Sequence, residues 1–79
     1  MLYPNPNDGN FKVRFNVSTV NDLILSIYNM LGQQLYYEEL ISFSGSYDKA
    51  PEIKLNPAIY FLELKTDKQI LKRERFVVQ

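Results

Sequence analysis

The sequence predicts an all-β fold, an antiparallel sandwich of six or seven short strands. Three observations lead there. Apolar and polar residues alternate with a period of two in several stretches, as half-buried strands require. Turn residues interrupt the chain roughly every 8–12 residues, the spacing of a small sandwich. No segment has a convincing helical period. The best candidate, "DKQILKRERF", would wrap its charges round every face of a helix.

The chain opens "MLYPNPNDGN". Pro4 and Pro6 fix φ and withhold two backbone donors. They push Tyr3 and Asn5 toward extended conformations. Residues 1–10 therefore read as a linker and boundary turn, unsuited to strand pairing upstream, and residues 11–79 as a single domain. In "NFKVRFNV", Phe11, Val13, Phe15 and Val17 oppose Lys12, Arg14 and Asn16, a half-buried strand. "DLILSIYN" is apolar on most of both faces and reads as a central strand. "NMLGQ" is a turn in which Gly32 takes the positive-φ position. "QLYYEEL" returns as a hairpin partner. "SFSGSYDKAP" reads as a polar loop, with at most a short edge strand, and "EIKL" as a further short strand. "NPA" turns the chain into "IYFLELKT", "DKQ" turns it again, and "ILKRERFVV" closes it.

Composition excludes several functions. The 79 residues hold one domain at most, of modest stability. With no cysteine there is no disulfide and no thiolate; with no histidine the usual neutral-pH proton carrier is missing. Nine basic and nine acidic residues cancel, which argues against a nucleic-acid partner. The longest apolar runs fall far short of a membrane span. Met1 leads at once into a Pro/Asn turn, so no signal peptide is expected.

Catalytic, cofactor and metal sites are not expected. Glu38 and Glu39 are adjacent on a strand and face opposite ways, so they cannot work as a carboxylate pair. "NPNDGN" fails the register of a calcium loop, because Gly9 would make Pro4 the first ligand. "NVS" in a strand is a chance sequon. Tyr60 reads as core, its hydroxyl reaching a surface partner. Lys65, Lys68, Lys72, Arg73 and Arg75 make the C-terminal end locally basic. That is either a charge-guarded edge strand or a docking site for an acidic or backbone-pairing partner. A second reading, an adhesive or carbohydrate-binding module, would use Tyr28, Tyr36, Tyr37 and Tyr47 as its platform.

"YPNPNDGNFKVRF", "LSIYNMLGQQL" and "PAIYFLELKTDKQILKRERFVVQ", in this order over Tyr3–Gln79, resemble the C-terminal sorting domain of the type IX (Por) secretion system. The resemblance implies an immunoglobulin-like sandwich that directs an exported cargo from the periplasm through the outer-membrane translocon to the cell surface or medium. It implies the secretion machinery, a sortase-like peptidase cutting near or before "YPNP", and the N-terminal cargo domain as partners, without membrane insertion. Within it, Lys72, Arg73, Arg75, Phe76, Val77 and Val78 are expected to meet the machinery. Tyr3, Pro4, Asn5, Pro6 and Gly9 form the boundary motif, and Gly32 and Tyr60 are structural. The free terminal edge also permits a strand-swapped homodimer. Two departures stand out. The glycine usual between "PA" and the aromatic pair is missing before Ile59. The last strand has an extra residue, expected as a bulge or register shift near Glu74.

Overall fold

The computed structural model describes residues 1–79. Five strands form one antiparallel sheet without helix: β1 (Leu2–Tyr3), β2 (Lys12–Asn29), β3 (Gln34–Lys49), β4 (Ala58–Lys65) and β5 (Ile70–Val78). The order β1–β2–β4–β5 runs to one side of β2, and β3 lines its other side.

The strand count is five, against the six or seven expected: two expected pairs are continuous, one expected strand is missing and the lead-in adds one. The stretches around Phe11–Val17 and Leu23–Tyr28 are both parts of β2. The presumed polar loop "SFSGSYDK" is the second half of β3, paired from Phe43↔Asn21 to Lys49↔Val13. Continuity survives because irregularities absorb the polar middle. Ser18, Thr19 and Val20 lie between the pairs Val17↔Gly45 and Asn21↔Phe43, opposite Ser44 alone. Extra residues of this kind bend a strand and increase its twist. Ser42 takes a positive φ of 49° nearby, and its N–H donates to Asp22 Oδ1. "EIKL" (52–55) is not a strand, yet Ile53 and Leu55 still pack on the core.

The inner face of β2 supplies Val13, Leu23, Leu25 and Ile27, all essentially buried. Tyr60, Leu62 and Leu64 of β4 and Phe76 and Val78 of β5 join them in one cluster with Leu2, Phe11 and Tyr47. The sheet curls over this core: Phe11, just before β2, meets Phe76 two strands away, with ring centroids 5.3 Å apart. Tyr60 also stacks on Phe76, at 5.6 Å.

The turns are built from short polar side chains. Asn29 Oδ1 accepts from the N–H groups of Leu31 and Gln33, and Gly32, at φ 82°, donates to the Asn29 carbonyl. Thr66 Oγ1 accepts from the N–H groups of Lys68 and Gln69. β4 begins directly at Ala58, paired with Val78, and needs no glycine before Ile59. The Tyr60 hydroxyl donates to the Asn56 carbonyl at 2.6 Å, which ties the preceding turn to the strand. The irregularity in β5 falls at Leu71, between the pairs Leu64↔Lys72 and Lys65↔Ile70. Glu74 sits in register opposite Leu62, so the expected shift near Glu74 lies three residues earlier.

The lead-in is part of the sheet, contrary to the expectation that its prolines would keep it from pairing. Leu2 and Tyr3 pair with Val13 and Lys12, and Arg14 N–H donates to the Met1 carbonyl. Leu2 is buried in the core. The prolines stop β1 after two residues rather than preventing it.

Candidate recognition site at the terminal strand

Alternation along β5 divides the residues expected to meet the secretion machinery. Phe76 and Val78 point inward, 0% and 3% exposed. Lys72 and Glu74 share that side of the strand by parity but lie toward its open end, Lys72 exposed and Glu74 half-buried. Arg73, Arg75 and Val77 lie on the outer face, where both arginines are exposed. Two of the six expected contacts are therefore core. The basic residues do not form one cluster, because Lys72 projects away from Arg73 and Arg75.

The outer face has its own order. Tyr37, Ser26, Glu63 and Arg73 form one row across β3, β2, β4 and β5. The Arg73 guanidinium lies 5.0 Å over the Phe61 ring. Lys65 reaches the mostly buried Glu63 at 3.7 Å. Ser26 is fully buried, and its hydroxyl has no hydrogen-bond partner.

The outer edge of β5 is not free at its end. Asn5 Nδ2 donates to the Arg75 carbonyl, and Val77 N–H donates to Asn5 Oδ1, both at 3.1 Å. The side-chain amide thus occupies the place of a neighbouring strand's peptide group. One step on, Asn7 N–H donates to the Val77 carbonyl at 3.0 Å and Gln79 N–H to the Asn7 carbonyl at 2.8 Å, a short parallel bridge. The Asn7 side chain faces its own loop: Nδ2 donates to the Pro4 carbonyl, and Oδ1 accepts from Gly9 N–H. Asn7 is 5% exposed with every polar group engaged. Gly9 takes φ 105°, a conformation a side chain would strain. Tyr3 anchors the other end. Its hydroxyl donates to Asp48 Oδ1, and Arg14, ion-paired with Asp48, lies over its ring. The motif residues Tyr3, Asn5 and Gly9 therefore each have a structural task. Asn7 has the largest, and sequence reasoning missed it. Its only local sign was an asparagine two residues before a glycine, the pattern of an Asx turn.

The tyrosines do not make a platform. Tyr36 and Tyr47 belong to the inner side of β3, and Tyr28 and Tyr37 to the outer face. The Tyr47 hydroxyl donates to Glu38 Oε1 at 2.8 Å and the Tyr36 hydroxyl to Glu38 Oε2 at 3.1 Å. Tyr47 also stacks on Phe15 at 4.7 Å. Burial above all, then the hydrogen bond to Glu38 and its negative charge, pushes the Tyr47 phenol far above the ordinary tyrosine range. The folded state thus keeps this proton longer than the unfolded chain does. The associated stability is fully present below about pH 10 and is lost as pH rises from there toward the folded value. The chain should therefore weaken above pH 10. Tyr47→Phe should flatten that alkaline loss in denaturant midpoints measured at pH 8 and pH 11. An unchanged slope would contradict the assignment.

The family described as "Secretion system C-terminal sorting domain" matches residues 1–79. The chain belongs to this family of Por secretion system sorting domains. No curated protein and no solved structure matches the chain. As a type IX sorting domain it is a non-catalytic secretion signal for a cargo protein, acting with the secretion machinery and the attached cargo. Proteins carrying such a sorting domain reach the cell surface or the medium.

Proposed function

We propose that the secretion machinery reads this sorting domain at β5, through the exposed Arg73 and Arg75 on the outer face, Val77 between them and the terminus, and Lys72 at the open end. Phe76 and Val78 hold the strand in place from below and make no direct contact. The observation that carries this reading is the alternation itself. With Phe76 and Val78 locked into the core and Glu74 half-buried on the same side, β5 turns Arg73 and Arg75 outward at fixed spacing. The curled sheet, with Phe11 against Phe76, supports a small immunoglobulin-like sandwich as the recognition body. Residues 1–10 act as the boundary between cargo and signal, and a sortase-like peptidase cuts upstream of them. A strand-swapped homodimer, with β5 exchanged between two copies, belongs to the same reading.

The test places these 79 residues behind a periplasmic signal and a fluorescent reporter in cells with the type IX system. Reporter at the surface or in the medium, absent from a strain without the translocon, is the expected result. Reporter held in the periplasm of both strains would overturn a self-sufficient signal.

A further inference from the structure

The terminal strand is half closed and half open along its outer edge. From Arg75 to Gln79 the edge is held by Asn5 and Asn7. Before Arg75, β5 has β4 on one side and no strand on the other. The closed part is held by two backbone bonds and two bonds to one exposed side chain. The exposed Asn5 part of this contact is the exchangeable one, because an incoming strand offers the same donor and acceptor, while Asn7 is buried and stays in place. The core beneath would not change, since Asn5 contributes no apolar surface to it and Phe76 and Val78 are held by β4.

We propose that the Asn5 side chain is a releasable clamp over a strand-docking edge, and that the partner's extended segment takes its place alongside Arg75 and Val77. The parallel sense of the Asn7–Val78 bridge sets the direction of the incoming strand. Arg73 and Arg75, exposed on one face beside this edge, set its charge, so the segment is acidic. The clamp lies in the boundary motif, so the cargo side of the domain controls access to the signal strand. This inference rests on the reading of β5 as the recognised element and adds what regulates it.

Asn5→Ala removes both side-chain bonds at an exposed position. In hydrogen exchange on the 79-residue protein, the Val77 amide should exchange at least tenfold faster, while the core amides of Leu25 and Leu62 keep their rates. Asn5→Asp keeps an acceptor for Val77 N–H and loses the donor to Arg75, so its effect should be intermediate. In the reporter assay, Asn5→Ala should raise the initial rate of export at least twofold. An unchanged Val77 rate, or one that moves only together with Leu25 and Leu62, would overturn the clamp whatever the reporter does. A freed Val77 with an unchanged export rate would overturn the docking edge. Failure of the unaltered domain to export its reporter would instead count against the sorting reading, so the outcomes separate.

Discussion

Phe76→Ala is expected to cost about 3–5 kcal/mol of folding stability. Phe76 has no exposed surface and packs against the rings of both Phe11 and Tyr60. Its removal opens a cavity where the sheet closes on itself. Shrinkage there would have to move β1's neighbour Phe11 and β4 together, which limits relaxation. Domains commonly have only about 5–15 kcal/mol in total, and one this small belongs at the low end. Urea unfolding followed by tyrosine fluorescence should show the midpoint falling steeply. A loss below about 1 kcal/mol, the range of ordinary surface substitutions, would contradict the placement of Phe76. The same experiment matters for function. Truncating the chain before Phe76 destroys the core and the signal together, so deletion of the terminal strand cannot tell contact from folding.

Arg73→Gln with Arg75→Gln separates the two. Both side chains are exposed, and the pair should change stability by about 1 kcal/mol or less, chiefly through the lost contact of Arg73 with Phe61. Export of the reporter should nevertheless fall at least tenfold. Lys72→Gln, on the opposite side of the strand, should have a smaller effect. Export at the unaltered rate in a folded double variant would remove the outer face of β5 from the recognition site. An equal loss from Lys72→Gln would point to net positive charge rather than to a face.

The sequence made some of this legible and hid the rest for physical reasons. Ala58–Lys65 was readable because Tyr60, Leu62 and Leu64 recur at every second position, and Ile70–Val78 because the turn "DKQ" precedes it and its charges fit no helix face. The turn at Asn29–Gln33 was readable because a glycine stands where positive φ is needed. β2 looked like two strands because Ser18–Asn21 carries no alternation, and its backbone bridges a bulge that only a partner strand stabilises. β3 looked half as long because "SFSGSYDK" is polar on its exposed side and buries only Tyr47. The Leu71 irregularity left no mark of its own, since an extra residue can be accommodated at any of several neighbouring positions. The basic C-terminal end was legible as a composition but not as two faces, which needed the register to Leu62 and Leu64. The clamp was the least accessible. Asn5 finds its partners 70 and 72 residues away, and no local pattern encodes a bond of that range.

The meeting of the two ends has a consequence for biosynthesis. Leu2 through Phe11 pack and hydrogen-bond with Phe76 through Gln79, residues translated some 70 positions later. A ribosome that stalls before residue 76 leaves a chain with no closing ring, no inner edge residue at 78 and no partner for Asn7. Such a chain lacks the two core side chains that β5 supplies. Closure of this fold therefore waits on the translation of Phe76 through Gln79, and the export signal takes its folded form last.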